Sequence, residues 1–179
     1  TDSFDEAEVK GPVFKITISM TPSNTWAWGA NADGQLGDGT KANKSTPVRV
    51  LGGKTYTKIA SGISHACGLL SNGTVDCWGF NGYGQLGDGT TVGKLTPVQV
   101  AGLNNVTSIA AGNYHTCASI STGGVKCWGH NTYGQIGDGS MTSSPVPVQS
   151  SGLTGGVVTA IAASGYDTCA VVSGSAKCW

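Results

Sequence analysis

With 179 residues and a formal net charge of zero, the chain has room for one ordinary domain. It has a single arginine, Arg49, and no cluster of lysines, so it offers no electrostatic footprint for a phosphate backbone and nucleic acid is not an expected partner. Charged residues make up 11% where soluble domains carry about 25%, and the 29 glycines are more than twice the usual share of about 7%, so the surface must be mostly Ser, Thr, Asn, Gln and glycine backbone. No apolar run approaches the roughly 18 residues of a membrane span, and membrane insertion is not expected.

Residues 1–12, with Asp2, Asp5, Glu6 and Glu8, match no other part of the chain and read as an acidic leader or linker. From Val13 to Trp179 the chain is one repeat domain. Val13, Phe14, Ile16 and Ile18 alternate in part with polar residues, which predicts the first strand of a hairpin ending at Trp28. In the later units a further strand precedes this hairpin. Its counterpart here would be Glu6–Pro12, which bears no likeness to Tyr56–Gly62.

The phrase Cys77-Trp78-Gly79-Phe80-Asn81-Gly82-Tyr83-Gly84-Gln85-Leu86-Gly87-Asp88-Gly89-Thr90 recurs as residues 27–40 and 127–140. Trp28, Trp78 and Trp128 are spaced by 50, and Trp179 follows 51 later. A period near fifty ending on Trp points to propeller blades, since one such unit cannot bury its apolar face alone. Each later unit reads as four strands: a short edge strand such as Pro97–Val100, a strand such as Val106–Ala110, then a hairpin. The fold class is therefore all-β, a β-propeller segment of about three and a half four-stranded blades.

The columns Ile109-Ala110-Ala111-Gly112-Asn113-Tyr114-His115, Trp128-Gly129, Asn131, Gly134-Gln135-Ile136-Gly137 and Pro145 or Pro147 resemble the regulator of chromosome condensation repeat. That resemblance covers roughly residues 24–179 and implies a seven-bladed propeller as the parent architecture. It also implies roles that include nucleotide exchange on a small GTPase, chromatin docking and, in a related secreted bacterial propeller, inhibition of β-lactamase. None of these roles transfers residue by residue.

The six cysteines form three pairs, Cys67 with Cys77, Cys117 with Cys127 and Cys169 with Cys178, each symmetric about its hairpin turn. Facing positions on an antiparallel hairpin bring β-carbons to about 4.5–5.5 Å, within modest adjustment of disulfide geometry. Thr17 and Ala27 stand at the two corresponding places of the first hairpin, so both members are absent together. Three bridges imply an oxidising compartment, hence a secreted or cell-surface protein. A metal site would need closer Cys/His spacing.

Gly82-Tyr83-Gly84-Gln85-Leu86-Gly87 spells a dinucleotide fingerprint, but its copies begin with Ala32 and Thr132 and lack the acidic partner, so tight turns explain the glycines and no cofactor is expected. Asp38, Asp88 and Asp138 read as loop-closing hydrogen bonders, and His65 and His115, which share one column, as making a structural hydrogen bond from their strand to a neighbouring loop. No Ser or Cys is left with His and Asp partners, so no catalytic or metal-ligating set is assigned and the chain reads as a non-enzyme. Phe80, Tyr83, His130 and Tyr133 lie in the variable part of the loops and are the best candidates for partner contact. Trp26 faces Asp76 and Lys126 in its column, and is either a contact residue or a cover over an open blade.

The reading is an extracellular scaffold that binds a protein, with two alternatives: a structural subunit of a surface assembly, and a secreted enzyme inhibitor. About fourteen strands close neither a four-bladed nor a seven-bladed ring, which need about sixteen and twenty-eight. A second copy, another subunit adding a strand at Val13, Phe14, Ile16 and Ile18, or the rest of a longer chain is therefore expected at the open edges.

Overall fold

The computed structural model describes the backbone of residues 7–11, 14–18, 20–21 and 24, and residues 25–179 in full. Among these, every regular element is a strand. Two complete blades occupy the middle of the chain. The first comprises β6 (Tyr56–Ser61), β7 (His65–Leu70), β8 (Val75–Gly79) and β9 (Lys94–Gln99), and the second β10 (Val106–Ala111), β11 (His115–Ile120), β12 (Val125–Gly129) and β13 (Ser144–Gln149). Both are antiparallel sheets in sequence order. A three-stranded blade of β14 (Val158–Ser164), β15 (Asp167–Val172) and β16 (Ser175–Cys178) follows them.

The strand after each tryptophan corrects the sequence-based phasing. Lys94–Gln99 pairs back onto Val75–Gly79, with Asp76 facing Gln99 and Cys77 facing Val98, so it closes the blade that carries Trp78. The sequence cannot distinguish this from an edge strand opening the next unit, because a strand leaving a long loop can turn to either neighbour. The blade boundary therefore falls between Gln99 and Val106.

The N-terminal region needs a second correction. Ala7–Gly11, assigned to the leader from sequence, is strand β1, paired with β2 (Phe14–Ile18) from Ala7 opposite Ile18 to Gly11 opposite Phe14. Phe14, Ile16 and Ile18 thus have β1 as partner on one side, while Val13 lies outside the described residues. The expected hairpin from Val13 to Trp28 is replaced by a short pair, β3 (Met20–Thr21) with β4 (Asn24–Gly29), on whose other side lies β5 (Lys44–Arg49). Comparison with Tyr56–Gly62 hid β1 because its alternation, Ala7-Glu8-Val9-Lys10, carries different residues.

The core lies between blades. Each joint centres on a tryptophan of one blade and the Leu or Ile of the preceding blade's loop: Trp78 with Leu36, Trp128 with Leu86, Trp179 with Ile136. Burying such a side chain contributes about 2–3 kcal/mol. The indole N–H of Trp78 donates to the Gln35 carbonyl at 2.8 Å, that of Trp128 to Gln85 at 2.9 Å and that of Trp179 to Gln135 at 3.0 Å. A glycine must follow two residues on: Gly87 has φ +70°, and a Cβ there would stand 2.7 Å from the Trp128 indole nitrogen.

The three cysteine pairs are disulfides, with Cα–Cα separations of 4.0, 4.1 and 4.1 Å, and each is a directly facing pair. Closing so short a loop contributes about 2–3 kcal/mol. Cys67, Cys77, Cys117 and Cys127 are wholly buried, whereas Cys178 is exposed.

Candidate binding site

The loops from β8 to β9 and from β12 to β13 share one end of the blades with the short loops from β6 to β7, β10 to β11 and β14 to β15. The long loops are rigid because one asparagine organises each. Asn81 accepts the Leu86 N–H on Oδ1 at 2.9 Å and donates through Nδ2 to the Thr90 carbonyl at 3.0 Å and to Asp88 at 3.2 Å. Asn131 does the same with Ile136 and Ser140. Gln85 then accepts the Tyr83 N–H at 3.0 Å, and Gln135 accepts the Tyr133 N–H at 2.9 Å, which pins both tyrosine backbones.

Asp88 and Asp138 accept from the backbone of Thr90 and Ser140, as the loop-closing expectation required. Hydrogen bonds from Thr40, Thr90 and Ser140 hold the carboxyls of Asp38, Asp88 and Asp138 below the usual range, against the opposing and larger single influence of burial.

On this frame the aromatic candidates meet. Phe80, Tyr83 and Tyr114 form one three-ring cup, with centroids 5.4–6.1 Å apart. His130, Tyr133 and Tyr166 form a second, at 5.1–6.0 Å. The two cups are built from the same three repeat positions at successive blade joints, and they touch through Tyr83 and His130 at 4.5 Å. At the preceding joint the same positions hold Ala30, Asp33 and Ser64, so that joint has no cup. Tyr83, Tyr133 and Tyr166 are 41%, 67% and 40% exposed, while Phe80, Tyr114 and His130 are half-buried beneath them.

Sequence reasoning thus found four of the six rings and missed Tyr114 and Tyr166. Both directly precede the histidine column, in a loop from a different hairpin. The available signal was that two-strand returns put 61–64 and 79–93 at the same end of the blade.

His130 is fixed within its cup. Gln135 Nε2 donates to its Nδ1 at 2.9 Å, which leaves the ring proton on Nε2 to donate to the Thr132 hydroxyl at 3.0 Å. Burial holds its pKa below the usual value, so it sits as a neutral ring at pH 7. In the first cup Phe80 replaces it, and the buried Gln85 Nε2 has no hydrogen-bond partner.

His65 and His115 are scaffold, as expected, but their partner is a strand of the next blade rather than a loop. His65 Nε2 meets the Thr116 hydroxyl at 2.9 Å and His115 Nε2 meets Thr168 at 2.8 Å. Thr116 donates its own proton to the Gln85 carbonyl at 3.0 Å, so His65 must be the donor and its Nδ1 is bare. Burial, reinforced by His115, lowers the His65 pKa to about 3. Burial and nearby His130 lower that of His115 to about 4, against a small upward pull from Asp167.

Trp26 stands apart from both cups. It faces Arg49 across β4 and β5, and the guanidinium lies 5.1 Å from the ring centroid. Asp76, its counterpart, is buried and accepts from the Tyr56 hydroxyl at 2.9 Å and Lys54 at 2.7 Å. Among the described residues no group of three His, Cys, Asp or Glu side chains is placed to hold a metal.

The repeat geometry has a known counterpart. The model of the regulator of chromosome condensation (RCC1) repeat matches residues 24–69, 72–119 and 122–171, and a second model of the same repeat matches 56–85 and 106–135. The chain belongs to the RCC1 repeat family. Curated protein sequences contain no match.

Solved structures share the fold. Prp20p from Saccharomyces cerevisiae, described with its binding to Gsp1p and histones, is 20% identical with a TM-score of 0.74, over 83% of this chain and 40% of that one. Human WBSCR16 is 23% identical with a TM-score of 0.79, over 100% and 49%. The ectodomain of the Physcomitrella patens receptor kinase CR4 is 21% identical with a TM-score of 0.61, over 100% and 42%. The chain spans less than half the length of these propellers.

Proposed function

We propose that this RCC1-type propeller segment is an extracellular, non-catalytic binding module whose protein partner docks on the paired aromatic cups. The observation that carries the reading is the continuous contact of six rings over two blade joints, on loops pinned from below. Tyr offers large contact area at low conformational cost, and rigid aromatic anchors dominate binding energy at interfaces. The disulfides support an oxidising compartment. No helix among the described residues is long and apolar enough to cross a membrane. An inhibitor of a secreted enzyme would use the same face.

The test is selection of a displayed random-peptide library on the wild-type chain and on a Tyr83→Ala/Tyr133→Ala variant. Peptides enriched on the first and lost on the second are expected; enrichment that ignores the substitutions refutes the assigned face.

A second reading is favoured by the outer edge of β16, which has no paired strand among the described residues, and by the chain's share of its relatives' length. In it the open propeller is completed by another copy or by further blades. Light scattering over a concentration series tests the first of these: self-association is expected, and a concentration-independent monomer refutes completion by a second copy.

A further inference from the structure

Building on the proposed binding face, we infer that the paired cups receive a proline-rich segment in the polyproline II conformation. Three properties of the surface select this ligand. First, the loop stretches that carry the rings, 61–64, 79–84, 111–114, 129–134 and 163–166, contain no Asp, Glu, Lys or Arg. An acidic or phosphorylated segment would find no cation there, since the ionisable side chain that adjoins the rings, exposed Asp167 next to Tyr166, is an acid and the neutral His130 adds no charge. The occupant is therefore a chain without acidic or phosphate groups.

Second, neighbouring rings within the cups are inclined at 54–73°. Inclined rings leave notches walled by ring faces and edges instead of one flat platform. A flat platform suits a stacked base or sugar, whereas a notch grips a compact puckered ring such as that of proline. Aromatic-lined grooves of this kind accept polyproline II because the ligand arrives already ordered.

Third, the site is a repeat, and polyproline II is a repeat. Tyr83 and Tyr133, equivalent in the two cups, both contact His130, at 4.5 and 6.0 Å. That keeps the two tyrosines at most about 10.5 Å apart, on the scale of one three-residue turn of a polyproline II helix, roughly 9 Å. Prolines three apart on one face of the ligand would enter successive cups. The backbone carbonyls of such a helix have no internal hydrogen bonds, and the exposed tyrosine hydroxyls can donate to them.

The experiment is a fluorescence or NMR titration of the whole chain with capped deca-proline. A Gly/Ser peptide of equal length and a neutral β-linked hexasaccharide serve as competing ligands. Saturable binding of deca-proline is expected, with little or none of the other two. Tyr133→Ala and Tyr83→Ala should each lower affinity at least tenfold. Tyr83→Phe, which keeps the ring and the packing, should lower it only a few-fold. Absence of deca-proline binding, binding indifferent to these substitutions, or tyrosine-dependent binding of the hexasaccharide instead would each overturn the inference. If displayed peptides bind the face in a tyrosine-dependent way without prolines three apart, the ligand class is wrong while the binding face stands.

Discussion

Acid should weaken this fold well before its carboxylates titrate, because two histidines are buried as neutral rings. His65 and His115 are inaccessible, each donates from Nε2 to a threonine of the next blade, and each carries a bare Nδ1 with no acceptor or solvent to take a proton. Their folded pKa values, about 3 and about 4, lie below the ordinary 6.5. The unfolded chain therefore binds protons as pH falls through about 6.5 while the folded chain does not, so stability is complete above that pH and declines below it. Each histidine contributes a slope of up to about 1.4 kcal/mol per pH unit, so at pH 5 the pair costs about 4 kcal/mol, a large part of a typical 5–15 kcal/mol.

The lowered pKa values of Asp38, Asp88 and Asp138 act in the same direction but only from about pH 4.5 downward, starting from the ordinary 3.8. The interval from pH 7.5 to 5 thus isolates the histidines. Urea unfolding without reductant, followed by the fluorescence of the joint tryptophans, should show the unfolding free energy fall by at least about 4 kcal/mol across that interval. In a His65→Gln/His115→Gln variant, whose amides can still donate to Thr116 and Thr168, most of that fall should disappear whatever the absolute height of the curve, and what remains belongs to His130, whose pKa burial also lowers. A wild-type curve that is flat to pH 5, or a variant that keeps the full slope, refutes the assignment of bare, neutral rings.

Two further outcomes follow from differences between equivalent positions. Phe80→His should stabilise the chain by about 1 kcal/mol, because it gives the unpartnered Gln85 Nε2 the acceptor that His130 gives Gln135; a lower melting temperature would show that Gln85 is already satisfied. Under mild reduction of the native chain followed by alkylation and mass spectrometry, Cys169 and Cys178 should be modified before the other four, since Cys178 is exposed while Cys67, Cys77, Cys117 and Cys127 are wholly buried; simultaneous modification of all six would mean that opening is global.

How far the sequence foretold this molecule depends on whether a feature is set within one repeat or between neighbours. The Asn, Gln and Asp columns are self-contained: Asn81 closes its own loop on Leu86 and Thr90, so the requirement recurs at Asn31 and Asn131 and shows as a repeat. The disulfides are local too, since each joins facing residues of one hairpin. Blade phase is a choice between two neighbouring strands of similar composition, and only the pairing of Lys94–Gln99 with Val75–Gly79 decides it.

The cups belong to the second kind. Each draws two rings from the loop after one tryptophan and the third from the next blade's short loop, so Tyr114 and Tyr166 gain their meaning only when the joint is assembled. The same holds for the histidine column. His65 looked like a residue hydrogen-bonded to a nearby loop, but its partner, Thr116, lies 51 residues away on the next blade, and Thr116 in turn donates to the carbonyl that holds Trp128. That shared Gln85 carbonyl ties the histidine, the threonine and the tryptophan of one joint to the loop that carries Tyr83. A substitution in the column should therefore reach the binding face through the joint, even though none of these three side chains touches it.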